Sequence, residues 1–198
     1  MSTGIFKMPL AGHVLLRALN LDGDGQADLA NHGGAWKAVY AYPAEHYAHW
    51  RRVLDRDDLT WGQFGENFTV LGMPEDDVCV GDRYLVGSSE VEVTQPRTPC
   101  FKLALKMGLP DFPKHFLGSG RVGFYLRVVR EGEVGEGDAI ERIHLDPARL
   151  SITEVNRLMY FDRHDLARIS RAARVQALAP GWRDAFLERL EGDEGERS

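Results

Sequence analysis

The sequence predicts a mainly β fold with helices, an α+β class, ending in a small three-helix unit. Up to roughly residue 140, short β-rich runs are separated by glycine- and aspartate-rich turns, the punctuation of strands rather than of long helices. Beyond Asp146-Pro147 the apolar residues fall instead at helical spacing. The 198 residues, 43% hydrophobic and 27% charged, are enough for a core that hides roughly 70% of the unfolded surface.

In chain order, residues 14–19 form a short apolar run, followed by the turn chemistry of Asp22-Gly23-Asp24-Gly25. Residues 43–54 predict a helix, with Pro43 pre-set in its first turn and Tyr47, Trp50 and Leu54 on one side. Residues 68–71 and 83–86 are strand-like, and residues 90–94 alternate with period two as a half-buried strand does. Residues 101–107 read as a helix that Gly108 stops. Residues 124–129 are a β-rich run, which residues 132–137 turn into a short strand at 139–143. Ser151-Ile152-Thr153-Glu154 is a capping-box pattern that opens a helix through Val155, Leu158 and Met159. Leu166, Ile169 and Ala173 mark a second helix, and Trp182, Phe186, Leu187 and Leu190 a third. Each spans roughly 8 to 12 residues and is marginal alone in water, so the three are expected to pack together. The domain reading is therefore 1–147 for the β-rich part, 148–192 for the helices and 193–198 for a flexible tail.

Charge and composition exclude several function classes. The formal net charge of −6 makes a poor general binder of nucleic acid or of an anionic membrane. Two cysteines, Cys79 and Cys100, make neither a disulfide scaffold nor a structural zinc module. No apolar stretch is long enough for a membrane span and no signal peptide opens the chain, so the cytoplasm is the expected compartment. Asn67-Phe68-Thr69 fits a glycosylation sequon and is read as chance.

Several pattern matches fail on context. Gly118-Ser119-Gly120-Arg121-Val122-Gly123 fits a dinucleotide fingerprint, but a helical piece precedes it and a strand follows, the reverse of what the motif needs. Asp22, Asp24 and Asp28 suggest a calcium loop, but Ala27 and Gly33 occupy its glycine and glutamate positions. His46 and His49 sit one turn apart on a helix face and read as surface histidines rather than metal ligands.

Cys100 stands apart. In Gln95-Pro96-Arg97-Thr98-Pro99-Cys100-Phe101-Lys102 the prolines fix a rigid extended approach, and the cysteine falls at the expected helix start. Helix-end N–H groups with Arg97 and Lys102 favour a thiolate, which is a nucleophile and a soft-metal ligand. An inert buried thiol is the plainer alternative, and Cys79, among apolar neighbours, is its natural example. Asn31-His32-Gly33-Gly34 permits close backbone approach to a ligand or simply turns the chain. Phe64-Gly65-Glu66-Asn67-Phe68 places polar side chains at a strand entry, and Arg121 lies in a glycine-rich loop, as an anion contact or a solvated surface residue.

In this order and spacing the segments resemble the MOSC family, the molybdenum-cofactor sulfurase C-terminal domain, in its YiiM-like branch. The residues that carry the likeness are Asp28 with His32-Gly33-Gly34, Tyr42-Pro43-Ala44-Glu45-His46-Tyr47, Phe64-Gly65-Glu66-Asn67, Val80-Gly81-Asp82-Arg83-Tyr84, Gln95 to Cys100 and Gly120 to Val128. Leu150 to Asn156 and Trp182 resemble the three-helix domain of that branch. The resemblance implies a closed β-barrel with peripheral helices, and a pterin-bound molybdenum cofactor with Cys100 as the metal's one protein ligand. It implies reduction of N-hydroxylated bases, or related N-hydroxylated small molecules, to amines, with electrons from a separate flavin or iron–sulfur reductase. Nothing in it calls for pyridoxal phosphate, nucleic acid or a membrane. On this reading Cys100, His32 and Asn67 are catalytic. Arg97, Lys102, Arg121, Gly33, Gly34 and Lys37 hold the cofactor, the cations anchoring its phosphate. His32 is suited to donate a proton near neutral pH. Two other readings of the same thiol are a non-enzymatic cofactor or sulfur carrier using a Cys100 persulfide, and a structural binding domain.

Overall fold

The structure, a computed structural model, describes residues 4–24 and 33–196. The described elements are β1 (His13–Leu16), β2 (Val39–Pro43), α1 (Glu45–Leu54), β3 (Phe68–Val70), β4 (Arg83–Val86), β5 (Ser89–Pro96), α2 (Phe101–Met107), α3 (Phe112–Gly118), β6 (Phe124–Arg130), β7 (Gly132–Gly135), β8 (Ile140–His144), α4 (Ile152–Tyr160), α5 (Leu166–Ala173) and α6 (Pro180–Glu196). Asp28, Asn31 and His32 lie outside the described residues.

Six strands form one sheet in the order β3-β2-β6-β5-β4-β8, antiparallel except where β2 runs parallel to β3. Register shifts on β5, between Glu90 and Val91 and between Val93 and Gln95, and on β4 between Arg83 and Tyr84, let the sheet curl into a half-barrel. Among the described residues the sheet stops at a half-barrel, and the expected closed barrel is not seen. The edge strands β3 and β8 do not pair, and β1, which could have bridged them, spends its ladder on β7 in a separate two-stranded sheet. The segment from Gly132, expected to be only a turn, is thus a strand, because a distant partner supplies its hydrogen bonds.

β2 explains how the molecule is layered. Its alternate residues serve two cores: Val39 and Ala41 face one that continues into the C-terminal helices, and Tyr40 and Tyr42 face an aromatic one with Trp50, Phe64, Phe112 and Phe116. α1, α2 and α3 cover the aromatic side. α4, α5 and α6 cover the other through Val155, Leu158, Ile169 and Phe186, with Leu178 from the α5–α6 connection, all buried. Main-chain bonds tie these helices to the sheet region: Val80 N–H donates to Leu150 O at 2.9 Å, Ile152 N–H to Val78 O at 2.9 Å, and Ala179 N–H to Thr94 O at 3.2 Å.

The stop at Gly108 and the cap at Ser151 hold, but α1 opens at Glu45 rather than at Pro43, which instead ends β2 opposite Val70. Ser151 Oγ accepts the Glu154 N–H at 3.1 Å, as the capping pattern requires, although the Glu154 carboxylate turns to Arg171 instead of back to the cap. α6 runs to Glu196, into the segment read from the sequence as a tail. Among the described residues no helix is long and apolar enough to cross a membrane.

Candidate functional site

β5 delivers the site. Its last residues run extended through Pro96 to Arg97, whose N–H donates to Gly123 O at 3.2 Å, and Cys100 then caps α2 with extended backbone angles (φ −129°, ψ 174°). Gly108 ends that helix in the left-handed conformation (φ 69°), returning its N–H to Ala104 O and Leu105 O. Cys100 is half-buried, whereas Cys79 is 2% exposed and sits in the core, where burial pushes its thiol up.

Arg97 is not the solvent-facing anchor the sequence suggested. It is 5% exposed, donates from Nη1 to Phe64 O, and lays its guanidinium 4.5 Å from the centre of the Tyr40 ring. Among the described residues no carboxylate pairs with it. The groups that feel its charge are Tyr40, Tyr125 and Cys100. Burial holds Tyr40 well above the usual phenol range and raises Tyr125 as well. A buried cation thus stands beside the one half-exposed thiol, supported by rings and a carbonyl.

The loop before β3 is built by Glu66. Buried at 2% exposure, its carboxylate accepts from Tyr47 OH, from Gly62 N–H and Phe64 N–H at 3.0 Å each, and from Thr69 Oγ1 at 3.2 Å. That fixes Phe64 O, the acceptor of Arg97. Asn67, expected as a catalytic group, has its side chain committed: Oδ1 takes the Tyr40 N–H at 3.0 Å and Nδ2 donates to Asp24 Oδ2 at 2.7 Å. It acts here as a latch between the loop and β2. Lys106, one turn on from Lys102, donates to Ile5 O and Gly62 O, and burial pulls it down to about 8, with Glu66 opposing and Arg97 and Lys7 adding to the fall.

A groove of about 470 Å³ opens along the segment that leads to this arrangement, lined by Gln95 and Thr98 but not by Arg97 or Cys100 themselves. Gly33, Gly34 and Lys37 line one wall, Gln95 and Thr98 the floor, and Tyr160 and Trp182 the wall from the C-terminal helices. Gly34 needs its positive φ of 86° to open the short 3-10 turn Ala35–Lys37. Thr98 Oγ1 and Tyr160 OH lie 3.1 Å apart and tie the cysteine loop to α4. Three expected residues, Gly33, Gly34 and Lys37, therefore meet at one groove with the approach to Cys100. Lys102 lies half-buried in the first turn of α2. Arg121 is directed elsewhere: it donates to Ser119 O at 3.2 Å and stands by His49, whose pKa is lowered by burial and then by Arg121. The aromatic lining (Trp36, Tyr160 and Trp182) and the Tyr40–Arg97 stack were not anticipated, since each pairs residues far apart in sequence.

Among the described residues no three His, Cys, Asp or Glu side chains cluster to hold a metal. A metal held by the described residues would have to come in a group that brings most of its own ligands. One accessible thiol, a buried guanidinium beside it and lysines at the groove and helix start fit such a group.

Comparison with known proteins places this fold in a class, a curled β-sheet domain followed by a helical domain. A model of the MOSC domain matches residues 28–141, and one of the YiiM-like 3-alpha helix domain matches residues 150–193. The chain belongs to the MOSC family, in its YiiM-like form. It is 43% identical to YflK of Bacillus subtilis over 187 residues, 94% of this chain and 84% of that protein. The crystal structure of YiiM from Geobacillus stearothermophilus superposes with a TM-score of 0.85 at 40% identity, covering 94% of this chain and 89% of that one. A protein of Gibberella moniliformis named "Reductase" is 33% identical over 161 residues, 80% of this chain, but the match spans only 28% of that longer protein.

Proposed function

We propose that this chain is a molybdenum-cofactor-dependent reductase that converts N-hydroxylated bases, or related N-hydroxylated small molecules, to amines. The observation that carries the reading is the half-buried Cys100 thiol within reach of the buried Arg97 charge, two residues on from Thr98 in the lining of a groove large enough for a small planar ligand. Membership of the MOSC family and the fungal relative named "Reductase" support it.

The reaction balances as R–NH–OH + 2 e⁻ + 2 H⁺ → R–NH₂ + H₂O. The cofactor, when bound, supplies the oxygen-accepting, two-electron chemistry. Cys100 contributes the thiolate ligand. Arg97 keeps positive charge at the sulfur, and Glu66 keeps Arg97 in place through Phe64 O. Lys37, in the groove lining, and Lys102, in the first turn of α2, are the cations assigned to the cofactor phosphate in this reading, and Gly33-Gly34 lets backbone approach the ring. Trp36, Tyr160 and Trp182 offer ring faces that exclude water from a planar substrate. His32 is the proton donor in this reading. Electrons come from a separate flavin or iron–sulfur reductase; in the fungal relative the shared region is a minor part of a longer polypeptide.

The test is molybdenum content and turnover for wild type and Cys100→Ala, expressed in a host that makes the cofactor. Near-stoichiometric metal, lost in the variant together with many-turnover reduction by a chemical donor, is expected. Cofactor retained with activity intact in Cys100→Ala would end the reading. Metal bound through Cys100 without turnover would instead mark a cofactor or sulfur carrier.

A further inference from the structure

A second cleft, of about 460 Å³, lies between the sheet and the α5–α6 connection and shares no residue with the groove beside Cys100. Its floor is one in-register row across four strands: His144 on β8 pairs with Arg83 on β4, Arg83 with Glu92 on β5, and Glu92 with Arg127 on β6. Glu92, 3% exposed, organises the row. Its Oε2 accepts Arg83 Nε at 2.8 Å and its Oε1 accepts Arg127 Nε at 2.8 Å, so one buried carboxylate aims two guanidiniums. Arg127 is further held 5.2 Å from the Trp36 ring centre, and Arg83 reaches Glu90 only at 3.5 Å. The opposite wall brings Arg174, exposed, whose Nη2 donates to Ser170 Oγ at 3.3 Å. The other carboxylate in the cleft, Asp146, has its Oδ1 occupied by the Ala148 N–H at 2.9 Å.

Three guanidiniums and two carboxylates line the cleft, with Glu90 outside the lining at 3.5 Å from Arg83, and among the described residues each guanidinium keeps N–H groups that no acceptor takes. Such an arrangement exceeds what the sheet needs. Glu92 alone neutralises one arginine, and a buried carboxylate shared by two arginines leaves positive charge facing the cleft. The donors come from two strands below and one helix end above, which suits a tetrahedral oxyanion better than a planar carboxylate. The cleft also has room beyond a single phosphoryl group, being within the usual size range of small-ligand sites of roughly 300–1,000 Å³. We infer that this cleft binds the phosphoryl group of a small phosphomonoester, with Arg83, Arg127 and Arg174 as its donors and Glu92 as the residue that positions the first two. The inference does not depend on the reductase reading.

The test is titration of the full chain with adenosine monophosphate and, separately, inorganic phosphate, followed by calorimetry and by backbone amide shifts. Saturable shifts of Gly81, Arg83, Arg127 and Gln176 are expected with both probes, tighter with the monoester. Arg174→Gln removes an exposed side chain and should leave the fold intact, checked by an unchanged melting temperature. It should weaken monoester binding about tenfold, the loss of one charge-assisted contact. Shifts confined to Gly33, Gly34 and Thr98 would assign any anion to the groove beside Cys100 and overturn the proposal. So would monoester affinity unchanged in Arg174→Gln. Phosphate binding as tightly as the monoester would overturn the assignment of the larger ligand.

Discussion

At the residue scale the site is governed by buried charges that the sequence cannot show as buried. Glu66 was legible as a polar side chain at a strand entry, but its reach to Gly62, Phe64, Tyr47 and Thr69 depends on how the loop closes. Removing it leaves two buried N–H groups unpaired, at about 1–3 kcal/mol each. Glu66→Ala should therefore lower stability by roughly 2–6 kcal/mol in urea melts and should also loosen Phe64 O from Arg97, changing the alkylation rate of Cys100. Lys106 gives a pH prediction. In the folded chain burial lowers it to about 8, while in the unfolded chain it titrates at the ordinary 10.5. Between those values the unfolded state binds the proton that the folded state has released, so stability rises with pH from about 8 to 10.5, and the buried ammonium costs stability below about 8. Lys106→Met should flatten that rise when urea midpoints are compared across the interval; an unchanged slope would show that another group sets it. Arg97 and Asn67 show where reading residues one at a time stops. Both were given outward roles, whereas the structure turns both inward, because the Tyr40 ring and backbone that hold them come from a strand with no sequence marker.

At the element scale, local punctuation was legible and long-range pairing was not. α2 has the bounds expected from Pro99-Cys100 before it and Gly108 after it, since the stop signal lies within the segment itself. β2 gave no alternating signal because all five of its residues are buried, one face on each core. β7 looked like a turn because its glycines permit close approach: a Cβ on Gly132 would lie 2.5 Å from the Ser88 carbonyl carbon. Gly123 shows the same constraint at the site, where it links two elements. Its N–H donates to Glu75 Oε1 at 2.8 Å and its carbonyl accepts the Arg97 N–H at 3.2 Å, with φ at 66°. A Cβ there would lie 2.5 Å from Ala41 O and 2.9 Å from the rings of Tyr40 and Tyr42. Gly123→Ala should cost roughly 2–5 kcal/mol from strain and overpacking together, measured by thermal melting. Ser151→Ala should cost only about 1 kcal/mol, the worth of one helix cap.

At the scale of the whole molecule, the question is whether the C-terminal helices form an appendage or part of the fold. Two family models divide the chain between residues 141 and 150, yet one apolar core runs from Val91 and Val93 on β5 through Leu150 and Ile152 to Trp182 and Phe186. Asp82 sits at the junction with no exposure and accepts from Cys79 N–H, Asp146 N–H and Arg149, with Arg142 also within 3.6 Å. Cutting the chain at 147 would strip Arg149 from that buried carboxylate and leave Val80 without its acceptor at Leu150 O. It would also expose the core face now covered by Val155, Leu158 and Ile169. At about 25 cal/mol per Å² of apolar surface, a face of several hundred Å² is worth a large part of a domain's whole stability. The truncated chain is thus expected to lose near-ultraviolet dichroism and aggregate, while the full chain melts in one transition seen alike by Trp182 fluorescence and by far-ultraviolet dichroism. The groove beside Cys100 follows the same logic, since Tyr160 and Trp182 form one of its walls. A soluble, folded 1–147 fragment would show instead that the helices are an independent unit laid against a finished domain.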